Sequence, residues 1–294
     1  MTTLARPGNG LAVEPGTRLL GEIITWSASG VRVSHLTLVE ALRDSGLDEG
    51  VARELAPRHA FARACKKLSE ARIIRPVSED SASIQFQFTA ERKEEGRYTY
   101  ELETVLTLDK ASGKVTCDLP GLATLAQEEL DRCIAVRTGG DVTRVVQRLF
   151  ERQADLFPIR EQGGAYFVPR EHVAFVDRVQ AFLGRLNGKV NRFPVPAGTP
   201  AGDRSVKDAV AAGLAALIAE HEQAIAAFGD DTRACTLERA AERIRQTRFK
   251  VEAYTDYLAE EKARLEAQLA AAAQQLRARV AALADRDMPL VAAS

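Results

Sequence analysis

The spacing of apolar residues changes twice along this chain, and the change constrains the fold more than any other feature. Between Pro57 and Arg72 apolar residues recur at helical intervals. From Ile73 to Asp118 they alternate with polar residues, as in strands that bury one face. Helical spacing returns after Pro120. This order predicts an α+β fold, with an antiparallel sheet between helical segments.

The alternating segment predicts a hairpin with one packed and one wet face. Its turn falls at Asp109–Gly113, where Asp, Ser and Gly cluster. The long strand before the turn is expected to carry Glu101 and Glu103 on the wet face. Its packed face is expected to consist of six residues, Tyr98, Tyr100, Leu102, Thr104, Leu106 and Leu108.

Three helices precede this sheet in the order of a winged helix-turn-helix. The first begins after a cap at Ser34 or Thr37, the second spans about 48–55, and the third spans 57–72. Residues 56–75 contain six Arg or Lys and a single acid, Glu70. Such a face can pair with phosphates and reach base edges, or it can be a solvated or protein-docked helix face. The candidate nucleic-acid-binding residues are Arg58, His59, Arg63, Lys66, Lys67 and Arg75.

A second helix and hairpin follow downstream. The helix spans about Val142–Gln153, the hairpin Leu156–Val168, and another helix extends from about Arg170 to Leu186. This order either repeats the first module or resembles it by chance. The preceding Thr138-Gly-Gly-Asp141 either offers backbone N–H groups to an anion or simply starts a helix, since it lacks the remaining residues of a P-loop.

Leucine and other aliphatic residues repeat every seven positions near the C-terminus. The pattern predicts a helix over about 205–228, a turn at Gly229–Asp231, and a helix of about fifty residues from Thr236. The second helix is about twice as long as the first, so its outer half needs a partner from elsewhere in the chain or from another chain. We favour a second copy, bound through Leu265, Leu269, Leu276 and Leu283.

These patterns divide the chain into consecutive segments. The alternative to two sheet-containing modules is one continuous α+β domain from Gly21 to Pro196. The segments we predict are a flexible tail (1–20), a helix-plus-sheet domain (21–120), a helix–hairpin–helix unit (121–195), a linker (196–204), a helical hairpin (205–287) and a tail (288–294).

Composition and motifs point away from most catalytic classes. The net charge is −1, so no global basic field exists for nucleic acid. The four histidines are dispersed, and no HExxH, P-loop or dinucleotide fingerprint is present. We therefore predict no catalytic residues, no cofactor and no metal site. An enzyme of unrecognised class is kept as an alternative, because catalytic groups can converge from distant positions.

Cysteine spacing and hydropathy bear on the compartment. No CxxC pair occurs, and Cys65 and Cys133 fall on apolar helix faces, which predicts buried free thiols. No signal-like or membrane-spanning apolar run occurs, so we expect a soluble, cytoplasmic protein without a membrane partner.

Three strings carry a resemblance: RHAFARAC at 58–65, DVTRVVQR at 141–148 and RQTRFKV at 245–251. With the overall layout, they resemble an uncharacterised family of bacterial and phage-associated proteins of about this length. The resemblance implies a bacterial or phage context. It implies no activity, ligand or catalytic residue.

Two function classes follow from the sequence. The first is a non-enzymatic nucleic-acid-associated or assembly protein, which contacts duplex nucleic acid through the basic helix and forms homo-oligomers through the C-terminal helix. The second is a protein–protein adaptor that uses the same modules without nucleic acid. An enzyme of unrecognised class is a third. The slope of affinity against salt distinguishes the first two, because phosphate contacts release counterions.

Overall fold

The computed structural model describes residues 17–69, 72–94, 96–160, 162–229, 231–258 and 261–287. It confirms the α+β fold. The strands are β1 (Leu19–Ser27), β2 (Arg32–Ser34), β3 (Arg72–Glu79), β4 (Ser83–Glu94), β5 (Arg97–Asp109), β6 (Val115–Thr116), β7 (Val136–Thr138), β8 (Phe157–Pro158), β9 (Tyr166–Pro169) and β10 (Lys189–Pro196). The helices are α1 (His35–Asp44), α2 (Pro57–Lys67), α3 (Pro120–Ala135), α4 (Gly139–Gln153), α5 (Val173–Arg185), α6 (Pro200–Ala226), α7 (Ala234–Ala253), α8 (Thr255–Leu258) and α9 (Glu261–Asp287).

The chain forms two compact units, and neither is continuous in sequence. Unit 1 combines the residues up to Trp26 with Ala154–Ala174 and the residues from Asn191 onward. Unit 2 combines Ser27–Gln153 with Phe175–Val190. The consecutive segments of the sequence analysis are thus grouped differently by contact: α4 belongs to unit 2, whereas the β8–β9 hairpin that follows it belongs to unit 1. Residues 1–16 of the predicted N-terminal tail (1–20) and all of the predicted C-terminal tail (288–294) lie outside the described residues.

The sheet of unit 1 has the order β10-β1-β9-β8. β1 pairs antiparallel with β9, so that Gly21 lies opposite Pro169, and β8 pairs antiparallel with β9. The predicted linker begins at Pro196, but that residue still belongs to β10, and α6 begins at Pro200. The prolines of β10 do not prevent pairing because β10 is an edge strand.

The C-terminal helix is interrupted, which corrects the prediction of one helix of about fifty residues. α7 ends at Ala253, and Tyr254 at its C-cap is 2% exposed and packs edge-on against Phe157. After the short α8, α9 packs against both α6 and α7. Tertiary packing of Tyr254 therefore replaces the glycine or proline that usually ends a helix.

The four leucines expected to bind a second copy are called the leucine seam, and the described side chains of this seam are buried inside unit 1. Leu265, Leu269 and Leu276 are at most 5% exposed and share a core with residues of α6 and α7. The premise that the outer half of the helix has no partner within the hairpin is therefore wrong. The backbone of Leu283 lies in α9, but its side chain is outside the described part of the structure.

Unit 2 begins with short helices whose caps are visible. Ser34 is the N-cap of α1 and its hydroxyl accepts the Thr37 N–H, which decides between the two predicted caps. The predicted second helix is a 3-10 turn at Glu49–Val51, capped by Asp48. α2 begins at Pro57 as predicted and ends at Lys67, five residues before the predicted end.

The larger sheet of unit 2 has the order β3-β4-β5-β6, with every neighbouring pair antiparallel. A second, two-stranded sheet pairs β2 with β7. One face of the larger sheet packs against α2 and α3, and Cys65 and Cys133 lie in that core as predicted. Burial raises the pKa of the Cys65 thiol to about 12. The core includes Ile84, Phe88 and Leu106 of the strands.

The outer part of the β4–β5 hairpin departs from the predicted packing. The register shifts between Phe88 and Thr89, and beyond this bulge Tyr98, Tyr100 and Leu102 are 52–63% exposed. The alternation of the sequence is present, but both strands continue past the area that α2 and α3 cover. Among the described helices, none is long and apolar enough to cross a membrane.

Candidate anion-binding cleft

The two helices that form the cleft are both in unit 2, and each buries an apolar face. α2 buries Ala60, Phe61 and Ala64, so His59, Arg63 and Lys66 lie away from the core. α4 buries four valine or leucine residues at helical spacing, Val142, Val145, Val146 and Leu149. Basic residues on the remaining faces of both helices are therefore available to line a shared surface.

The N-terminus of α4 carries one half of a capping box, in which Asp141 accepts both hydrogen bonds from Thr138. The Asp141 carboxylate accepts the Thr138 N–H at 2.9 Å and the Thr138 hydroxyl at 3.0 Å. Gly139 lies against another segment of unit 2, where a Cβ would be 1.9 Å from the Ala28 carbonyl oxygen. The glycine pair of the TGGD string thus starts the helix, and its first glycine permits a close backbone approach.

Arg63 joins α2 to this cap. Its guanidinium donates two hydrogen bonds to Asp141, of 2.6 and 3.0 Å. Burial by itself would raise the pKa of Asp141, but the bonds from Arg63 and Thr138 outweigh it and hold that pKa below its usual value. The bond to Asp141 raises the pKa of Arg63. The pair is therefore ionised across the neutral pH range.

A cleft of about 680 Å³ lies between α2, α4 and the loop that precedes α2. Its lining contains six Arg or Lys side chains and one His, against the carboxylates of Glu54 and Asp141, for a net charge of +4 with the His neutral. The basic residues of the cleft are Arg53, His59, Arg63, Lys66, Arg137, Arg144 and Arg148. Walls of one charge sign concentrate the potential that attracts an anion.

Arg137 is the most unusual of these cations, because it is only 5% exposed. Its Nη1 donates to the Ile134 carbonyl at 2.9 Å, at the C-terminal end of α3. Its Nε is buried and has no hydrogen-bond partner among the described residues. Buried arginines are usually paired, since a desolvated charge without a partner is costly. Arg137 therefore brings unused donor capacity to the wall of a basic cleft.

The other basic side chains of the cleft differ in the partners that they have within unit 2. Arg148 donates to the Val51 carbonyl at 3.2 Å, which leaves its charge without a carboxylate partner in the described part of unit 2. Arg144 is mostly exposed and lies 3.4 Å from Asp141. Arg53 and Lys66 are exposed at the rim. The cleft is thus lined by one inner guanidinium and several outer cations.

The structure brings together half of the six predicted nucleic-acid-binding residues. His59, Arg63 and Lys66 line the cleft, and the other three do not. Arg58 pairs with Glu79 at 3.1 Å and Lys67 pairs with Glu129 at 2.8 Å. Arg75 is exposed on β3. Arg63 and Lys67, which belong to the predicted basic helix face, are both engaged by acids of their own chain.

Four of the seven basic cleft residues were not identified from the sequence, namely Arg53, Arg137, Arg144 and Arg148. Arg144 and Arg148 had a detectable signal, since they lie four residues apart on the polar face of a clearly amphipathic helix. Arg137 had none, because its burial follows from how β7 and α3 pack within unit 2. A run of basic residues in sequence reveals only the part of the cleft that α2 supplies.

Unit 1 contains a polar cluster and a cleft of its own, and neither has a comparable charge. The Asp155 carboxylate accepts bonds from the Tyr254 hydroxyl, at 2.5 Å, and from Lys250. Burial opposes ionisation of Asp155, but hydrogen bonds from Lys250 and Tyr254, with His172 Nε2 3.7 Å from the carboxylate, hold its pKa well below the usual range. These groups satisfy one another. A cleft of about 750 Å³ has three acidic and three basic side chains, Glu171, Asp203, Asp256, Arg18, Arg170 and Lys207.

Comparison with known proteins identifies a family model that matches this chain. The family model described as "Family of unknown function (DUF6744)" matches residues 19–288, which is nearly the whole chain. No curated protein and no solved structure matches the chain. Across the described residues, no group of three or more His, Cys, Asp or Glu side chains is arranged to hold a metal ion.

Proposed function

The chain belongs to the DUF6744 family, whose function is unknown, and we propose from its own residues that it is a nucleic-acid-associated protein. In this proposal the basic cleft of unit 2 contacts phosphate groups, and no catalytic step is involved. The resemblance noted from the sequence supports a bacterial or phage context for this role.

The observation that carries the proposal is the concentration of charge in the cleft. The whole chain has a net charge of −1, yet the cleft has six Arg or Lys side chains and two carboxylates. Phosphate contacts of this kind supply most of the affinity of non-specific nucleic-acid binding. The cations that extend to the rim, Arg53, Lys66 and Arg144, are placed to meet a backbone that passes over the cleft.

The element order of unit 2 supports the winged-helix part of the hypothesis. α1, the 3-10 turn and α2 are followed by the long β4–β5 hairpin, as a wing would follow a third helix. Duplex contact through α2 would use His59 and Lys66, with Arg63 holding the helix in place. Self-association through α9 would require its leucines to leave the core, so it is not part of this proposal.

The experiment is duplex binding measured by fluorescence anisotropy over a range of salt concentrations. Arg144→Glu with Arg148→Glu should weaken binding at least about tenfold and flatten the salt slope by about two contacts. The matched control is Arg239→Glu with Arg243→Glu, an exposed pair with the same spacing on α7 of unit 1. The control should bind as the parent does. A parent without salt-dependent binding, or an α4 variant as tight as the parent, would contradict the proposal.

The adaptor hypothesis has one observation in its favour. Tyr98, Tyr100 and Leu102 form an exposed apolar row on the outer part of the β4–β5 hairpin. Among the described residues, β5 pairs with β4 in that region and not with β6, which pairs with Thr107 and Leu108. An unpaired strand edge beside apolar side chains is typical of sites that accept another strand. Absence of any salt-dependent duplex binding would favour this second candidate.

A further inference from the structure

We propose that the cleft recognises a single phosphate group and that Arg137 is the side chain that recognises it. This inference rests on the proposed function for its location, and it names the chemistry that the site accepts. The phosphate group can be the end of a nucleic-acid strand or part of a small free anion. Both present the same oxygens to the guanidinium.

The depth of Arg137 determines the size of the group that can contact it. A side chain that is 5% exposed is out of reach of a backbone lying across the rim. A terminal phosphate projects from its chain, carries close to two negative charges at neutral pH and presents three acceptor oxygens. An internal phosphodiester carries one charge and is flanked by sugars on both sides. The inner position therefore favours a terminal or free phosphate.

The guanidinium of Arg137 is already oriented. Its Nη1 is held by the Ile134 carbonyl, while its buried Nε is without a partner in the described residues. A planar guanidinium that is fixed along one edge can offer another edge to two oxygens of a phosphate. Little side-chain freedom remains to be lost on binding, which favours affinity.

Arg63 provides the contrast within the same cleft. It has the same chemistry, but both of its bonds of 2.6 and 3.0 Å go to Asp141. A phosphate at Arg63 would have to displace a carboxylate, whereas at Arg137 it displaces no acidic partner among the described residues. The outer cations Arg144 and Arg148 would add attraction without fixing geometry.

The test compares the melting temperature in sodium phosphate and in sodium chloride of equal ionic strength. Phosphate should raise the melting temperature of the parent and of Arg75→Gln, a control at an exposed cation outside the cleft. Arg137→Gln should need at least about ten times more phosphate for the same shift. An equal shift in Arg137→Gln, as general salt exclusion would give, overturns the inference. So does a parent without a shift.

A second variant covers the case in which Arg137→Gln does not fold. Arg53→Gln with Lys66→Gln changes only exposed rim residues and should weaken the phosphate effect severalfold by lowering the local potential. An unchanged phosphate dependence in this variant overturns the inference as well.

Two duplexes that differ only in a 5′-phosphate distinguish the sources of the phosphate group. Tighter binding of the phosphorylated duplex, lost in Arg137→Gln, supports a strand end as the ligand. Equal binding of both, together with the phosphate shift, supports a small free phosphate compound. A phosphate shift without any duplex binding leaves this inference standing and removes the proposed function. Duplex binding without a phosphate shift leaves the proposed function standing and removes this inference.

Discussion

Arg63 and Asp141 are 78 positions apart in the chain, and their side chains are joined by hydrogen bonds of 2.6 and 3.0 Å. The pair connects the middle of α2 to the first turn of α4. Arg63 lies in the most basic stretch of the sequence, yet its guanidinium pairs with a carboxylate of its own unit. The number of basic residues on a helix is therefore a poor guide to the charge that the helix presents to a ligand.

Removal of Arg63 should destabilise the protein more than removal of a nearby exposed cation. Arg63→Ala leaves Asp141, 12% exposed, without its main partner, and we expect a loss of about 2 kcal/mol in the free energy of unfolding. Arg58→Ala removes an ion pair with a largely exposed arginine and should cost less than about 0.5 kcal/mol. Urea unfolding of both variants measures the difference. Equal losses would show that the Arg63 pair has no special role.

Replacement by alanine should affect the free energy of unfolding differently at the two adjacent glycines that start α4. A Cβ at Gly139 would lie 1.9 Å from the Ala28 carbonyl oxygen, so Gly139→Ala should cost about 2 kcal/mol or more. A Cβ at Gly140 meets nothing closer than the Thr138 hydroxyl at 3.8 Å. Gly140→Ala should be neutral or stabilising by up to about 1 kcal/mol. Thermal unfolding of the pair checks this, and equal destabilisation would refute the close approach at Gly139.

The Asp155 cluster predicts a dependence of stability on pH. Because the folded state holds the pKa of Asp155 below its value in the unfolded chain, ionised Asp155 stabilises the fold above about pH 4. That stability is lost as the pH falls through the folded pKa. Asp155→Asn should therefore cost about 3 kcal/mol at pH 7, and the gap to the parent should narrow on acidification. The control is Asp256→Asn, at an exposed position of α8. A gap that is constant between neutral and acid pH would contradict the prediction.

Because the leucine seam is buried, substitution of its leucines should lower the stability of the fold. Substitution in an exposed seam would instead weaken self-association. Leu269 is 1% exposed, and Leu269→Ala should cost about 2–5 kcal/mol. Val280 lies on the same helix and is 44% exposed, so Val280→Ala should cost less than about 0.5 kcal/mol. Urea unfolding followed by circular dichroism measures both. If Leu269→Ala kept full stability but lowered the mass in light scattering, the seam would be an interface after all.

Hydrophobic spacing predicted most elements of this fold, because period and turn chemistry are local properties. The predictions failed where contacts between residues far apart in sequence determine the structure. The break at Tyr254 depends on Phe157, and the exposure of Tyr98 depends on how far α2 and α3 extend over the sheet. The site divides in the same way. Lys66 was found because its neighbours in sequence are basic, whereas Arg137 belongs to the site only through the tertiary structure.

The position of β1 has a consequence for how the chain acquires its structure during synthesis. β1 lies between β10 and β9 in its sheet, and Gly21 pairs with Pro169. A ribosome must therefore add about 150 residues after β1 before its first partner exists, and the core of unit 1 also requires α9 near the end of the chain. Sequence-distant contacts of this kind slow folding and leave strand edges exposed in the meantime. Unit 1 can complete its fold only after α9 has been made, and removal of either β1 or α9 removes part of the same core.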